Sequence, residues 1–491
     1  MPKLKITRSS LIFGLLISIF LGLVCIFFLT DPPVWPDEAL YADIAANLAT
    51  QNRLGSNLWQ GVIPGIETHA LFYPPVFFYT LALQYTLFGV SILAQRLFSV
   101  LAALGVIVIF YAFSRRVIKS AVPWFSLIPV GLLVFDFMFL KAARLSRPEI
   151  FVLFWGMLAL YLYRKATDNF HLSRSNFFLS LSGLSASLAF LNHPVGIFVA
   201  AAITLDWFLR LKTRIFLSRK FYLFSLCFLL PVVLWILSLL PNFDLFLQQF
   251  SLAVQRKSID RQWLFIALTQ QPFPVIMLNC YYLALSLFFA VYFFVRRRKE
   301  GLLPFLLLAF AWAVAIYGKQ NWYYVLPLPF LYLAGGIFLA KLNPKKQRWI
   351  IAGVVILPVL MNLWVLALLS SANAGKSYAQ FSQAVASSVP EKSIVFLSSI
   401  PDPYFGFKMY NKNVQLYEFP VLQTPLANYE EVLNKCDYVV FNGSYEEVLF
   451  GDFLVKYLET NQSEIVEIGQ ESDYQTLVVK LKPQTERQSV L

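Results

Sequence analysis

Charged residues, cysteine and histidine are scarce in this chain of 491 residues. Only 14% of the residues are charged and 58% are hydrophobic, whereas about a quarter of a soluble domain is charged. The four cysteines, three of them in apolar segments, have neither a disulfide framework nor the spacing of a zinc site. These shortages argue against a soluble globular enzyme and against a small cross-linked or zinc-bound fold.

Long apolar runs take the place of the missing charge. Mean hydropathy is +0.63, and segments long enough to cross a bilayer recur along most of the chain. Aromatic residues make up 17% of the sequence, which is typical of interfacial belts in membrane proteins. The sequence therefore predicts a polytopic α-helical membrane protein with about eleven spans, at 10–30, 92–114, 122–141, 149–164, 177–192, 194–211, 221–240, 272–295, 301–317, 322–340 and 349–371.

Basic clusters predict the orientation of these spans. Lysine and arginine concentrate near the N-terminus and then around Arg115, Arg164, Arg210, Arg296 and Lys345. The positive-inside rule assigns all of these clusters to the cytoplasm. With an uncleaved first helix and eleven spans, the N-terminus is expected to be cytoplasmic and the C-terminal tail extracytoplasmic.

The tail differs from the rest of the chain in charge and pattern. From Asn373 onward the chain contains 15 acidic and nine basic residues, although the net charge of the whole chain is +13. Short apolar runs at 392–399, 436–443 and 474–482 predict strands, and 428–435 and 446–460 predict helices. We expect a membrane domain at 1–372 and a small α/β domain at 373–491, which has no phosphate-binding glycine loop and no apparent chemistry.

The first external loop, 31–91, contains an unusual pair of acids. Asp37 and Glu38 follow the first apolar run directly and precede helical spacing from Leu40 to Leu48. Asp37 could simply cap that helix, but a carboxylate at the membrane boundary also suits a general base. Further along the loop, Tyr73–Gly89 predicts a helix lying in the outer interface.

Basic side chains are expected on the same outer side, against the general trend of the chain. Arginine and lysine there suit a phosphate or diphosphate group, although any single one could equally extend to the lipid headgroups. The polar residues expected on this side are Arg144, Arg147, Glu149, His193, Arg256, Lys257, Arg261, Lys319, Gln320 and Tyr323. The positive-inside rule explains the basic residues in the other loops, so no nucleic-acid partner is expected.

The order of these motifs resembles the GT-C glycosyltransferases that use polyprenyl-phosphate sugars, the group of protein O-mannosyltransferases and aminoarabinose transferases (glycosyltransferase family 39-like). The resemblance covers about Asp31 to Ala340. The matching elements are Asp37-Glu38, Tyr73-Pro74-Pro75, Phe88-Gly89, Arg96-Leu97, Arg144-x-x-Arg147-x-Glu149 and Tyr324-x-x-Pro327. Tyr73 stands where many members have lysine, and Glu149 stands where many have aspartate.

The resemblance implies a function for these residues. Asp37 would take a proton from an acceptor hydroxyl, which attacks a polyprenyl-phosphate sugar with inversion. Outer basic residues and His193 would bind the lipid phosphate, and Glu38 would orient the helix or bind the acceptor. With Tyr73 in place of lysine, one phosphate or substrate contact would either be missing or be supplied by His69. The acceptor could be lipid, glycan or protein. Metal use varies in the group, so divalent-metal dependence stays open, and a bacterial inner or plasma membrane is the expected location.

Two other classes of protein fit parts of the sequence. A transporter or flippase of lipid-linked sugars would also need many helices and outer basic residues, but it usually shows mid-span charges, broken helices and repeats. Few charges are expected in mid-span here, with Asp136 and Asp206 near helix ends. A non-catalytic assembly protein working through its tail is the third class.

Overall fold

The structure is a computed structural model of the whole chain, and it describes most of the sequence. The described residues are 7–26, 28, 32–118, 123–168, 172–258, 273–296, 302–318, 321–342, 350–372, 376–420, 425–442, 449–468 and 475–490. Helices dominate, as apolar runs without strand-like alternation predict.

The described helices are numbered here in chain order. The first ten are α1 (Arg8–Ile26), α2 (Pro36–Gln51), α3 (Val76–Phe88), α4 (Ile92–Val117), α5 (Ile128–Val134), α6 (Phe137–Arg144), α7 (Pro148–Asp168), α8 (Leu172–Asn192), α9 (Ile197–Leu211) and α10 (Arg219–Leu239). The others are α11 (Phe243–Ser258), α12 (Phe273–Arg296), α13 (Leu302–Gly318), α14 (Leu328–Ala340), α15 (Leu357–Ala372), α16 (Tyr378–Ser387), α17 (Tyr404–Tyr410), α18 (Leu426–Leu433) and α19 (Leu449–Asn461).

Several of these helices can cross a bilayer. Seven among the described residues are long and apolar enough, and an eighth crossing results if the bent pair Trp124–Val134 and Phe137–Arg144 is one span. Shorter apolar helices lie at Val76–Phe88, Leu302–Ile316 and Gly353–Leu369. The last two coincide with the expected spans 301–317 and 349–371. The polytopic helical fold is confirmed, and the count of eleven stays a prediction.

One compact unit contains most of the apolar helices. It consists of residues 1–26, 99–238 and 260–372. Within it α7 packs along α8, α13 against α9, and α14 against α5. Gly183 of α8 lies so close to α10 that an added Cβ would be 2.3 Å from the Phe224 carbonyl oxygen. Small residues allow such close helix packing in membranes.

The second compact unit brings together distant parts of the chain. It consists of residues 27–98, 239–259 and 373–491. Gln249 of α11 is buried and fixes the loop after α2, because its side chain accepts from Leu71 N at 2.8 Å and donates to Pro64 O and His69 O at 2.9 and 2.8 Å. The first loop, α11 and the tail therefore form one folded body.

Helix α3 confirms the helix expected within 73–89. Its buried face includes Phe77, Leu81 and Tyr85, and its other face exposes Tyr79, Leu83, Leu87 and Phe88. Such a stripe of large exposed apolar residues suits contact with lipid. Its placement in the outer interface stays a prediction.

The tail contains a five-stranded sheet. The strands are β1 (Ile394–Ser398), β2 (Gln415–Glu418), β3 (Tyr438–Phe441), β4 (Gln462–Ile468) and β5 (Thr476–Leu481), in the order β2-β1-β3-β5-β4. Strands β2, β1 and β3 are parallel, whereas β5 pairs antiparallel with β3 and β4. The expected α/β fold is confirmed, including the strands at β1, β3 and β5. Strands β2 and β4 carry polar residues and were not predicted.

Candidate active site

The first site feature is the start of α2. The helix begins at Pro36, a residue favoured at the first helical position, and Trp35 occupies the N-cap position. Asp37 is therefore the second helical residue, and a simple N-cap role for its side chain does not fit. Its carboxylate lies in the first turn, where the helix dipole favours negative charge. Asp37 keeps part of its surface exposed.

Glu38, the neighbour of Asp37, is fully buried in an ion pair with Arg96. Arg96 Nε donates to Glu38 Oε1 at 3.1 Å and Arg96 Nη2 donates to Oε2 at 2.8 Å, and both side chains are 0% exposed. Glu38 Oε2 also accepts from Trp35 N at 3.3 Å. Of the two roles expected for Glu38, these contacts favour orienting the helix rather than binding an acceptor.

A third acid of α2, Asp43, is also buried and was missed by sequence reasoning. Its carboxylate accepts from Ser56 Oγ at 2.9 Å, from Asn57 N at 2.7 Å and from Tyr404 Oη at 3.2 Å. Lys408 Nζ lies 3.7 Å away. The sequence signal that could have identified Asp43 is the presence of an acid among the apolar positions of an amphipathic helix. Two of the three acids of α2 thus serve structural contacts, and Asp37 alone of the three remains partly accessible.

In the other unit, Arg147 and Glu149 form a second buried ion pair. Arg147 Nη2 donates to Glu149 Oε1 at 3.1 Å and Arg147 Nε donates to Oε2 at 3.3 Å. Trp322 packs beneath two cations, with Arg147 4.8 Å and Lys141 4.4 Å from its ring centroid. Arg147, Lys141 and Trp322 form what we call the cationic cluster, and together with Glu149 they line a cavity of about 10 Å³. The cluster was only half predicted, because neither Lys141 nor Trp322 belonged to the expected site.

His193 and Tyr323 meet as expected from their turns. The His193 Nε2 to Tyr323 Oη distance is 3.4 Å, and His193 Nδ1 accepts from Val195 N at 3.2 Å. That backbone contact fixes Nδ1 as the acceptor, so Nε2 carries the ring proton when the imidazole is neutral. Tyr323 directly follows Trp322 in the short 3₁₀ turn Asn321–Val325. The same turn therefore contacts His193 through Tyr323 and the cationic cluster through Trp322.

The remaining expected residues lie in different parts of the chain. Arg144 ends α6 fully buried, with its Nε donating to Leu140 O at 3.2 Å. His69 is exposed and Tyr73 half-buried, and the Tyr73 ring packs edge-on to Tyr41. Arg256 and Lys257 lie in α11, whereas Arg261, Lys319 and Gln320 lie outside the described residues. Among the described residues, no three His, Cys, Asp or Glu side chains are grouped to hold a metal ion.

Comparison with known proteins gives this arrangement a context. Residues 73–237 match the dolichyl-phosphate-mannose-protein mannosyltransferase family. An uncharacterized protein from Aquifex aeolicus is 27% identical over 325 residues, a stretch that covers 64% of this chain and 61% of that relative. The family match thus covers α3 through most of α10, including Arg144, Arg147, Glu149 and His193.

Solved structures show the same fold over nearly the whole chain. ArnT from Cupriavidus metallidurans bound to undecaprenyl phosphate has a TM-score of 0.60 at 15% identity, covering 96% of this chain and 98% of ArnT. The archaeal oligosaccharyltransferase AglB from Archaeoglobus fulgidus, in complex with an inhibitory peptide and a dolichol-phosphate, has a TM-score of 0.58 at 12% identity, covering 96% and 74%. The chain therefore has the GT-C glycosyltransferase fold and is similar to the protein mannosyltransferase and ArnT group.

Proposed function

We propose that this chain is an inverting glycosyltransferase that moves a sugar from a polyprenyl-phosphate donor to a hydroxyl acceptor on the outer face of a bacterial inner or plasma membrane. The observation that carries the proposal is the state of the acids on α2. Glu38 and Asp43 are held in buried contacts, whereas Asp37 lies in the first turn with part of its surface accessible. Such a fixed but accessible carboxylate suits a general base.

The reaction requires one proton transfer and one substitution. Asp37 accepts the proton of the acceptor hydroxyl, and the oxygen attacks the anomeric carbon from the face opposite the phosphate. The bond from that carbon to the phosphate oxygen breaks, and the lipid phosphate leaves with the electron pair. Because phosphate is already a good leaving group, orientation and charge stabilisation supply most of the rate enhancement.

The charges of the cationic cluster suit the departing phosphate. Arg147 has its guanidinium oriented by Glu149 and positioned over the Trp322 ring, so little side-chain entropy is left to lose on binding. Lys141 adds a second positive charge over the same ring. His193, with its proton on Nε2 when neutral, can donate one hydrogen bond to a phosphate oxygen, and Arg144 adds charge at the end of α6. Arg256, Lys257 and Lys319 remain further candidates for this role.

A transporter of lipid-linked sugars is the second candidate, and one observation favours it. Helices α5 and α6 are bent by 63° at a break that contains the buried Asp136, and broken helices with buried acids are typical of transporters. The hydrogen bonds of Asp136 nevertheless indicate a structural role. Its carboxylate caps α6 by accepting from Phe139 N at 2.9 Å, and it also accepts from the hydroxyls of Tyr282 and Tyr332.

A detergent assay separates the two functions, because detergent micelles have no two sides to transport between. Membranes from a strain that lacks the gene are solubilised, and a radiolabelled polyprenyl-phosphate sugar and the purified chain are added. The proposal predicts that the label moves to a lipid, glycan or protein that mass spectrometry shows to lack the sugar in that strain. Absence of transfer in detergent, together with movement of the intact lipid-linked sugar across the bilayer of sealed vesicles, would support the transporter.

A further inference from the structure

The break between α5 and α6 is built around one buried carboxylate. Asp136 is fully buried at the point where the chain bends by 63°. Its Oδ1 accepts from Phe139 N at 2.9 Å, which makes Asp136 the N-cap of α6. Asn362 of α15 supports the same turn, because its Oδ1 accepts from Phe137 N at 2.6 Å. These contacts fix the direction in which α6 leaves the break.

The other carboxylate oxygen of Asp136 joins the break to two helices that lie far along the chain. Asp136 Oδ2 accepts from the hydroxyls of Tyr282 in α12 and Tyr332 in α14. Both tyrosines are 1% exposed. An ionised carboxylate only accepts hydrogen bonds and has room for several donors. One side chain therefore holds α6, α12 and α14 together.

Helix α6 carries one cation of the cationic cluster and leads directly to the other. Lys141 lies in the last turn of α6, and its carbonyl oxygen accepts from Leu145 N at 3.0 Å. Two residues later, Arg147 N donates to Leu145 O at 2.9 Å. Because backbone hydrogen bonds link the two cations to the end of α6, the direction of this helix sets where both charges lie.

The third member of the cationic cluster belongs to the same span as Tyr332. Trp322 and Tyr332 both lie in the continuous apolar span Trp322–Ala340. The hydrogen bond from Tyr332 to Asp136 ties this span to the start of α6. At the other end of α6, Lys141 Nζ lies 4.4 Å from the centroid of the Trp322 ring. A cation–π contact depends on that separation, so the bond between Asp136 and Tyr332 supports it.

We propose that Asp136 and Tyr332 are positioning residues for the cationic cluster: Asp136 fixes the helix that carries Lys141, and Tyr332 holds the span that carries Trp322 against it. The binding of a lipid phosphate by the cluster rests on the proposed function. Neither positioning residue lines the cavity beside the cluster. Their effect is on geometry, and an error of about 1 Å in the position of a binding group is costly.

Two tyrosine substitutions separate positioning from plain stability. Tyr332→Phe removes only the hydroxyl that ties the Trp322 span to Asp136. Tyr282→Phe is the matched control, because it removes an equally buried hydroxyl from the same carboxylate oxygen, whereas α12 carries no member of the cluster. We expect both variants to lower the melting temperature of the purified full chain by similar amounts, since each loses one buried hydrogen bond.

Binding of undecaprenyl phosphate to the purified chain in detergent measures the effect without turnover. We expect Tyr332→Phe to raise the Kd about fivefold, a change of the size that one hydrogen bond contributes, and Tyr282→Phe to keep the wild-type Kd. Undecaprenol, which has the same chain without the phosphate, should bind all three proteins alike. Asp136→Asn is a second variant: its amide keeps an oxygen for Phe139 N but cannot accept from Tyr332 as well, so its Kd should rise at least as much.

A double variant tests whether Tyr332 acts through Trp322. Trp322→Leu removes the ring, so the exact position of its span no longer matters to the cations. We therefore expect Tyr332→Phe to leave the Kd of Trp322→Leu unchanged, whereas two independent effects would multiply.

The outcomes separate the inference from the proposed function. If the Kd values follow the expected pattern but the wild type transfers no sugar, the proposed function fails and the positioning role stands. Sugar transfer by the wild type with an unchanged Kd in Tyr332→Phe, or with an equal rise in Tyr282→Phe, would overturn the inference and leave the proposed function intact. Multiplied effects in the double variant, or no binding of undecaprenyl phosphate by the wild type, would also overturn the inference.

Discussion

At the scale of single residues, the two buried ion pairs differ in how far the sequence could predict them. Arg147 and Glu149 are two residues apart, so their spacing alone placed them together, and the structure joins them. Glu38 and Arg96 are 58 positions apart, and each belonged only to a separate motif. Lys141 and Trp322 belonged to none, because their partnership depends on how α6 and a distant turn pack.

The position of Arg147 in the cationic cluster allows a prediction about its substitution. Arg147→Lys keeps one positive charge but loses the two hydrogen bonds to Glu149 and the guanidinium contact over the Trp322 ring. We expect KM for the lipid-phosphate donor to rise about tenfold or more, because a lysine that Glu149 no longer orients through two hydrogen bonds presents its charge to the phosphate less precisely. Steady-state kinetics over a donor concentration series gives the measurement.

Arg116 provides the matched control for that substitution. It also lies near an acid and an aromatic ring, with Asp168 at 3.7 Å and the Tyr161 ring centroid at 5.4 Å, but it belongs to a basic cluster expected in the cytoplasm. Arg116→Lys should leave KM unchanged. An unchanged KM in Arg147→Lys as well would place the donor phosphate elsewhere.

At the scale of elements, α2 shows what periodicity can and cannot reveal. The spacing from Leu40 to Leu48 predicted the helix, and the structure confirms it. Its exact start decides the role of Asp37, and the presence of Trp35 and Pro36 shifts that start by two residues from a cap at Asp37. The contacts that hold α2 involve Arg96, Tyr404 and Lys408. No local pattern reports such distant partners.

The ion pair that anchors α2 gives the second prediction. Glu38→Gln removes the negative charge and leaves the Arg96 guanidinium buried at 0% exposure. Breaking a buried pair from one side costs roughly 3–5 kcal/mol, so the melting temperature of the purified chain should fall markedly. Glu38→Gln is consequently a stability variant and a poor control for Asp37.

An exposed pair in the same unit shows whether burial is the cause. Glu431 contacts Lys435 Nζ at 2.7 Å, and both side chains are at least half exposed. Glu431→Gln should leave the melting temperature nearly unchanged, because exposed pairs contribute little. If both substitutions had equally small effects, the Glu38–Arg96 pair would not be what anchors α2.

At the scale of the whole molecule, composition and hydropathy predicted the class of fold well. Apolar length and charge scarcity are summed over many residues, so the helical membrane part and the α/β tail emerged despite uncertain boundaries. The sequence did not reveal that the first loop, α11 and the tail form one compact unit. That association is made by contacts between distant segments, such as the hydrogen bond from Asp402 N to Val34 O.

The proposed sugar transfer depends on Asp37 acting as a base, and the substitution Asp37→Asn tests this most directly. Asparagine keeps the size and hydrogen-bonding oxygen of the side chain but cannot accept the acceptor's proton. Loss of a first-turn charge should cost the helix only about 0.3–1 kcal/mol, and Asp452→Asn, also in a first turn of the same unit, controls for that effect.

The measurement is kcat for sugar transfer in detergent, at protein levels and melting temperatures matched between the variants. If Asp37 is the base, Asp37→Asn loses turnover on the order of 100-fold or more, whereas Asp452→Asn keeps wild-type turnover. Wild-type turnover by a well-folded Asp37→Asn protein would contradict that role, because a carboxylate that can be neutralised without loss is not the base of the reaction.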